Sequence, residues 1–258
     1  MKLFDSHCHL DDKAFDHDRE SVIQRAKRND VHELMTVGID KDTSLRALEI
    51  ARMHAGCYAS VGVHPHTAAS CSDEVILFLK HLTTDDKIKA WGETGLDFNR
   101  MYSPRTDQEK WFTQQIHMAD ELKLPLIFHE RDSNGRFLDI LKVLSHPDRK
   151  GVVHCFSGNK KELSAYLDLG LYIGITGILT LKERGAGLRK LIQYIPPDRL
   201  LIETDAPYLT PTPQKNKSRR NEPAFVKSVL IKLANVRKED PEVLAQITRN
   251  NALRLFGI

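Results

Sequence analysis

The chain begins with a pair of histidines whose spacing suits the binding of a cation. His7 and His9 flank Cys8 at the end of the first predicted strand. Side chains alternate between the two faces of a strand, so both imidazoles point the same way and Cys8 points the opposite way. Two imidazoles on one face can bind one cation. The structural alternative is that one histidine caps a turn and the other packs in the core.

Carboxylates follow two other apolar segments. Glu93 stands between glycines near the end of a predicted strand, and its structural alternative is a buried acceptor for backbone N–H groups. Asp97 shares the parity of Glu93, but we expect it in the following loop. Glu203 and Asp205 end the last predicted strand with equal parity. We predict Asp205, nearer the rim, as metal ligand and general base, and Glu203 as a buried group that fixes a histidine or a water.

Two more histidines end apolar segments. His129 follows Leu124–Phe128, and His154 follows Gly151–Val153. A histidine directly after a buried strand faces a desolvated site, where it needs a partner. Either one alone is more often structural than a ligand. Cys155 is out of phase with its neighbour and is not predicted to be a ligand.

Short apolar segments alternate with amphipathic ones along the whole chain. The predicted strands are Lys2–Ser6, Glu33–Val37, Cys57–Val61, Ile88–Gly92, Pro125–His129, Gly151–His154, Leu171–Ile175 and Leu200–Thr204. Predicted helices include Arg19–Arg28, Ser44–His54, Gln108–Leu122, Lys160–Leu169, Ala224–Ala234 and Glu242–Phe256. A connection long enough for a crossover helix follows each strand, which indicates a parallel sheet. The pattern favours an α/β fold of the (β/α)8 TIM-barrel type in one domain, residues 1–258, over an open doubly wound sheet, because no GxGxxG follows the first strand.

The candidate ligands stand at the C-terminal ends of five different predicted strands. TIM-barrel active sites are built at that end, and core histidines would have no reason to concentrate there. The combination predicts a divalent-metal site made of His7, His9, Glu93, His129, His154 and Asp205.

The bulk composition is that of an ordinary globular protein, with 41% hydrophobic and 28% charged residues and a formal net charge of +3. No apolar run approaches the roughly 20 residues that span a bilayer, and the first residues lack a signal peptide's apolar stretch. We therefore expect a cytoplasmic protein without membrane contact, and a monomer, as many single-domain barrels are. The four cysteines show no CxxC spacing and are interpreted as reduced thiols.

Six motifs in this chain resemble those of TatD-family hydrolases. They are His7-Cys8-His9, Gly62-Val63-His64-Pro65-His66, Gly92-Glu93-Thr94-Gly95-Leu96-Asp97-Phe98, His154-Cys155-Phe156-Ser157-Gly158, Gly174-Ile175-Thr176-Gly177 and Glu203-Thr204-Asp205-Ala206-Pro207-Tyr208-Leu209. The resemblance covers almost the whole chain in order. It implies a barrel of the amidohydrolase superfamily with one or two divalent cations, and the family's ligand motif falls on the six residues named above. Asp97–Arg100 and Ser218–Pro223 resemble the branch described as magnesium-dependent DNases with 3′→5′ exonuclease activity.

Two cations sharing Glu93 would suit hydrolysis of an anionic ester. One lowers the pKa of bound water, while the other polarises the phosphoryl oxygen. Four imidazoles favour Zn²⁺, Mn²⁺ or Fe²⁺, whereas the Mg²⁺ that the resemblance implies prefers oxygen ligands. Some members of the DNase branch lack the first histidine pair, and its presence here favours two cations. We expect Mg²⁺, Mn²⁺ or Zn²⁺ as cofactor.

A phosphodiester substrate also needs cationic contacts beside the metals. We predict such contacts from Arg131, which has the parity of His129, and from Arg219 and Arg220 in the loop after Asp205. His66 is predicted to touch substrate. His64 is predicted to support a ligand without binding the ion itself. Each has a structural alternative, since charged loop residues are usually solvated.

The leading functional prediction is a metal-dependent DNase, a 3′→5′ exonuclease on single-stranded DNA. One alternative retains the metals but hydrolyses an amide, a lactone or an aminoacyl ester, as a D-aminoacyl-tRNA deacylase does. Another is a non-catalytic metal-binding factor in protein quality control or export. Fold and ligands specify how water is activated but do not specify which bond is hydrolysed.

Overall fold

A single sheet of eight parallel strands runs through the computed structural model, which describes residues 1–258. The strands are β1 (Leu3–Cys8), β2 (Val31–Val37), β3 (Cys57–Val61), β4 (Ile88–Asp97), β5 (Leu126–Arg131), β6 (Gly151–Val153), β7 (Tyr172–Ile175) and β8 (Leu200–Ile202). Their order in the sheet is their order in the chain, and all seven neighbouring pairs are parallel. This is the order of the predicted (β/α)8 barrel, which is confirmed.

The barrel closes between β8 and β1 with few backbone contacts. Cys8 and Ala206 form an isolated parallel bridge, and the His9 N–H donates to Ala206 O at 2.7 Å. The buried Asp5 carboxylate strengthens this seam, because it accepts hydrogen bonds from Thr204 N at 2.8 Å and Thr204 Oγ1 at 2.6 Å. Side chains therefore supply much of the closure that a longer ladder supplies elsewhere.

Nine α-helices cover the outside of the barrel. They are α1 (Arg19–Arg28), α2 (Lys41–Met53), α3 (Asp73–Leu82), α4 (Arg105–Leu122), α5 (Arg136–Val143), α6 (Lys160–Asp168), α7 (Ala186–Leu191), α8 (Val226–Arg237) and α9 (Pro241–Phe256). Side-chain caps fix several starts: Asp40 begins α2 and Asn159 begins α6, each in a reciprocal capping box, and Ser72 begins α3. No helix combines the length and the apolar character that crossing a membrane requires.

The barrel interior is filled by a small apolar cluster, separate from the large core under the helices. Its barrel members are Phe4, Met35, Val37, Ala90, Ile127, Val152, Tyr172 and Leu201. Ala252, Leu255 and Phe256 of α9 belong to the same cluster, and the rings of Phe4 and Phe256 lie 5.9 Å apart. This layer plugs one end of the barrel, so polar side chains two or three residues further along the strands face an open end.

Register shifts decide which side chains reach that open end on two strands. β1 shifts between Asp5 and Cys8, and β4 shifts between Gly92 and Thr94. A shift of one residue moves the following side chains to the other face of the sheet. Hence Ala90 is inside the barrel and Glu93, three residues later, also faces inward. Gly95 permits the close approach of β5, since it has φ +151° and a Cβ there would lie 1.8 Å from the His129 carbonyl oxygen.

Candidate metal centre

The first strand delivers two imidazoles to one point, as its spacing predicted. The Nε2 atoms of His7 and His9 are 3.3 Å apart. Glu93 Oε2 lies 3.4 Å from His7 Nε2 and 3.8 Å from His9 Nε2, while Asp205 Oδ1 lies 3.8 and 3.4 Å from the same two atoms. His9 Nδ1 contacts Val37 O at 3.0 Å. A proton on Nδ1 can be donated to that carbonyl, which leaves Nε2 free to bind a cation.

The last strand and β6 complete this side of the cluster. His154 Nε2 lies 3.8 Å from Asp205 Oδ1, and the rings of His154 and His7 stack with centroids 3.5 Å apart. His154 Nδ1 lies 2.7 Å from Glu203 Oε1, although its N–H does not point straight at that oxygen. Asp205 adopts φ +58°, a left-handed conformation that aspartate tolerates better than most residues.

Glu203 lies beneath the cluster and faces none of the open space. It is fully buried, accepts a hydrogen bond from Cys155 N at 2.6 Å and another from Ser6 Oγ at 3.3 Å. Gly174 leaves room for this carboxylate, since a Cβ there would lie 2.5 Å from Glu203 Oε2. Its contacts are those of a group that orients His154.

Glu93 is the carboxylate that the four predicted histidine ligands share. His129 Nδ1 lies 2.7 Å from Glu93 Oε1, and His154 Nε2 lies 4.0 Å from the same oxygen. Its other oxygen faces the first histidine pair. Glu93 is thus placed to bridge two positions, one beside His7 and His9 and one beside His129 and His154.

The expectation for Asp97 was wrong, because β4 continues through it. Asp97 is fully buried, and its Oδ2 lies 2.7 Å from His66 Nε2 and 3.4 Å from His129 Nε2. Its Oδ1 accepts backbone hydrogen bonds from Asn99 and Arg100. Asp97 therefore links His66 to the cluster, and its shared parity with Glu93 was the signal that could have found it.

The hydrogen bonds of His64 distinguish it from the other histidines. Its Nδ1 accepts a hydrogen bond from the His66 backbone N–H at 3.0 Å. A neutral imidazole carries one proton, so that of His64 is on Nε2, which lies 3.4 Å from Glu93 Oε1. His64 can donate to Glu93 but has no lone pair directed at a cation there. This arrangement supports the prediction that it assists a ligand.

The donor set fits divalent cations. Ligand atoms that surround one ion at roughly 2.0–2.2 Å lie about 3.0–3.5 Å from one another. The cluster contains three groups whose ligand atoms all lie within 4.8 Å of one another: His7, His9 and Glu93; His7, His154 and Asp205; and His64, Glu93 and His129. In addition, the Nε2 atoms of His7 and His9 face each other at 3.3 Å. A cation between such groups satisfies nitrogen and carboxylate lone pairs together.

The charges in the cluster respond strongly to one another. Burial lowers the pKa of His9, but the hydrogen bond and charge of Asp205 outweigh burial and raise the pKa to about 10. Burial favours protonated Glu93, yet the charges of His64 and His7 hold its pKa well below the ordinary value. Burial and the charge of His129 lower the pKa of His64 to about 4. Protons thus occupy positions that cations would take, and metal binding should release them.

A cavity of about 980 Å³ opens above the cluster. His9, His64, Glu93, His129, His154 and Asp205 line its floor, together with His66. Three arginines on its walls, Arg100, Arg131 and Arg184, form no ion pair with a carboxylate. The ring of Tyr102, which is 66% exposed, stands at the same rim with its centroid 4.8 Å from that of His66. Arg131 was predicted from the sequence as a substrate contact. Arg100 and Arg184 were not, because they lie in turns where side chains do not alternate regularly.

Arg219 and Arg220 do not line this cavity, contrary to expectation. Arg219 is exposed, and Arg220 binds Asp18 at 2.7 Å and Glu222 at 3.0 Å. Arg25 contacts the same two carboxylates. The loop after Asp205 folds back on α1, because its charges are satisfied there. The segment Ser218–Pro223 consequently serves as an anchor for this loop.

An eight-stranded barrel with imidazoles and carboxylates gathered at the strand ends defines a metal-dependent hydrolase of the amidohydrolase type. The chain belongs to the family described as TatD related DNase, whose profile matches residues 4–257. The resemblance seen in the sequence motifs is confirmed.

Relatives and solved structures agree with this family. The chain is 44% identical to the 3′-5′ ssDNA/RNA exonuclease TatD of Yersinia pseudotuberculosis, covering 99% of this chain and 100% of that protein. It is 42% identical to the 3′-5′ ssDNA/RNA exonuclease TatD of Rahnella sp., covering 99% of this chain and 98% of that protein. A TatD homologue from Escherichia coli K12 superposes with TM-score 0.90 at 29% identity, over 99% of this chain and 98% of that one. A TatD-family hydrolase from Entamoeba histolytica superposes with TM-score 0.88 at 25% identity, covering 99% of this chain and 98% of that one.

Proposed function

We propose that this chain is a metal-dependent deoxyribonuclease that removes nucleotides from the 3′ end of single-stranded DNA. The observation that carries the proposal is the cluster itself: imidazole and carboxylate atoms from five strand ends face one space, with contact distances of 2.7–4.0 Å. Above it lies a cavity with three unpaired arginines. The named activity of relatives above 40% identity supports phosphodiester hydrolysis over cleavage of an amide, lactone or aminoacyl ester, and over a non-catalytic role.

Glu93 is the residue that joins two cation positions. His7, His9, Glu93 and Asp205 would hold one ion, and Glu93, His129 and His154 would hold the other. Bound divalent cations supply Lewis acidity, activating water and polarising the phosphoryl group. His64 donates to Glu93, and Glu203 fixes His154.

Asp205 is suited to orient the attacking water and to accept its proton. Burial raises its pKa, but the hydrogen bond from His9 and the charge of His154 outweigh burial and lower the pKa below its ordinary value. Its carboxylate is therefore ionised at neutral pH and free to accept. Only 15% of the side chain is exposed, so few bulk waters compete for this contact.

The substrate backbone would cross the rim formed by β4, β5 and β7. Arg131 and Arg100 are placed to contact phosphates, while the exposed ring of Tyr102 can stack a base. His66 borders both the ring and the cluster and can reach the nucleotide at the scissile bond. These contacts read the backbone and the base plane, which suits an enzyme without sequence preference.

The mixed nitrogen and oxygen donors support binding of Mn²⁺ and Zn²⁺ as well as Mg²⁺. We propose two cations per chain, since Glu93 presents one oxygen to each side. A single domain over residues 1–258, a monomeric state and a cytoplasmic location stay predictions.

The deciding assay uses end-labelled single- and double-stranded DNA across a series of Mg²⁺, Mn²⁺ and Zn²⁺ concentrations. We expect laddering from the 3′ end of single strands, abolished by chelation, by Asp205→Asn and by Glu93→Ala. The exposed Asp198→Asn variant is the matched control, because it removes an equal charge far from the cavity. Full nuclease activity in Asp205→Asn protein would overturn the proposal. Much faster cleavage of D-aminoacyl-tRNA or a lactone than of DNA would assign the site to another substrate.

A further inference from the structure

One carboxylate on the cavity wall has no partner in the protein. Asp11 follows β1, two residues after His9, and lines the same cavity as Glu93 and Asp205. It is only 4% exposed, and its buried Oδ1 has no hydrogen-bond partner. A buried acceptor without a donor is costly, so such a group points to a ligand that supplies one.

The lack of a hydrogen-bond donor distinguishes Asp11 from the neighbouring carboxylate, Asp12. Asp12 accepts hydrogen bonds from Ala14 N at 2.7 Å and from the Tyr208 hydroxyl at 2.9 Å. One oxygen thus caps the short turn that follows Asp12, and the other ties the loop after β1 to the loop after β8. Asp11, on the same loop, is held in place by this arrangement while its own oxygen stays free to accept.

The charges on the cavity wall differ from one side to the other. The rim of β4, β5 and β7 carries three unpaired arginines and one glutamate, Glu130. The rim of β1 and β2 carries Asp11, Asp12 and Lys13, and its Arg46 is paired with Asp16 at 2.7 Å. A polyanionic strand is attracted to the first rim, and the second suits a group without negative charge.

An exonuclease needs such an asymmetry, because one side of the scissile phosphate holds a long strand and the other holds a single terminal nucleotide. We propose that Asp11 accepts a hydrogen bond from the 3′-hydroxyl of that terminal nucleotide and thereby selects 3′-hydroxyl ends over 3′-phosphate ends. A terminal phosphate would place a second anion against the buried carboxylate. This inference rests on the nuclease function proposed above and adds the chemical nature of the end.

The test compares two versions of one short single-stranded oligonucleotide, with a 3′-hydroxyl or a 3′-phosphate. Cleavage rates are measured with Mn²⁺, and affinities are measured by fluorescence anisotropy in EDTA, where no cleavage occurs. The proteins are wild type, Asp11→Asn and the control Glu130→Gln, which removes one negative charge from the opposite rim. Each result is a ratio of two substrates on one preparation, so partial unfolding of a variant cancels.

We expect wild type to favour the 3′-hydroxyl substrate at least tenfold in kcat/KM and to bind it more tightly in EDTA. Asp11→Asn should reduce both preferences about tenfold, while Glu130→Gln should retain them. Equal treatment of the two ends by wild type, or an unchanged ratio in Asp11→Asn, would refute the role of Asp11. If wild type cleaves neither oligonucleotide with any metal, the nuclease function fails, and the EDTA affinities still decide whether Asp11 discriminates the ends.

Discussion

Replacing Glu203 by glutamine should weaken metal binding although Glu203 faces no cation. In the native protein its Oε1 accepts from Cys155 N at 2.6 Å and lies 2.7 Å from His154 Nδ1. A glutamine carbonyl at the same position retains both contacts, and its amide group can face Ser6 Oγ. The substitution therefore removes the charge and little else.

The Glu203 charge stands 2.7 Å from His154 Nδ1, and the strength of charge-assisted hydrogen bonds sets the upper bound for the expected loss. A hydrogen bond to a charged group contributes about 1.5–3 kcal/mol, and one between neutral groups about 0.5–1.5 kcal/mol. The difference of about 1–1.5 kcal/mol corresponds to roughly a tenfold weaker metal affinity. Glu203→Ala should lose more, approaching a hundredfold, because the Cys155 N–H then has no acceptor and no carboxylate stands beside His154 to orient it.

Titration calorimetry with Mn²⁺ on protein stripped by chelation measures this loss directly. Glu130→Gln is the matched control, since its carboxylate also accepts two hydrogen bonds, from Ser133 N and Oγ, but contacts no histidine of the cluster. Wild-type affinity in Glu203→Gln, alongside weak binding in His154→Ala, would refute the idea that Glu203 tunes His154.

Three further outcomes test other parts of the site. Gly174→Ala should also weaken Mn²⁺ binding in calorimetry, because the added Cβ would lie 2.5 Å from Glu203 Oε2 and displace that carboxylate. Arg131→Ala should weaken single-stranded DNA binding and reduce the slope of log affinity against log salt by about 0.7, whereas Arg220→Ala should leave both unchanged in anisotropy titrations. Arg220→Ala should instead lower the unfolding midpoint by at most about 2–4 °C at pH 6, since partly exposed ion pairs contribute little. Hydrogen bonds from Arg220 lower the pKa of Asp18 from 3.8 to about 2, so this ion-pair contribution is present above pH 3.8 and is lost as the pH falls towards 2. The deficit of the variant should therefore shrink in acid to the part left by the hydrogen bond to Ala14 O and the contact with the Phe15 ring. A deficit that grows in acid would contradict this.

The barrel was predictable because its strands are apolar on both faces and its helices are amphipathic. The bounds of β3 and α1 match the predicted ones, while β6 and β8 are shorter, with three residues each. The start of β4 at Ile88 matches the prediction, but its C-terminal end was not predictable. Ladder shifts depend on contacts with neighbouring strands, and the shift at Gly92–Thr94 extends this strand to Asp97.

The clustering of the six predicted ligands could be inferred because each stands at the end of a predicted strand, and parallel strands end at one face. Loops provide no such rule. Arg219 and Arg220 follow Asp205 closely in sequence, yet neither faces the cavity. Arg220 forms ion pairs with Asp18 and Glu222, and Arg219 is exposed to solvent. Arg184 and Asp11 line the cavity but lie in loops. Their orientation could not be predicted, because the alternation of side chains along a strand does not apply to loops.

The seam between β1 and β8 has a consequence for the newly made protein. Asp5 and Thr204 are 199 residues apart in the chain, and His7 and Asp205 stand directly beyond them. A ribosome-bound chain that has not yet released its eighth strand carries the first histidine pair and Glu93 without Asp205. Hydrolytic competence is therefore expected only near the end of synthesis, which would protect nucleic acids around the ribosome from a partly made nuclease.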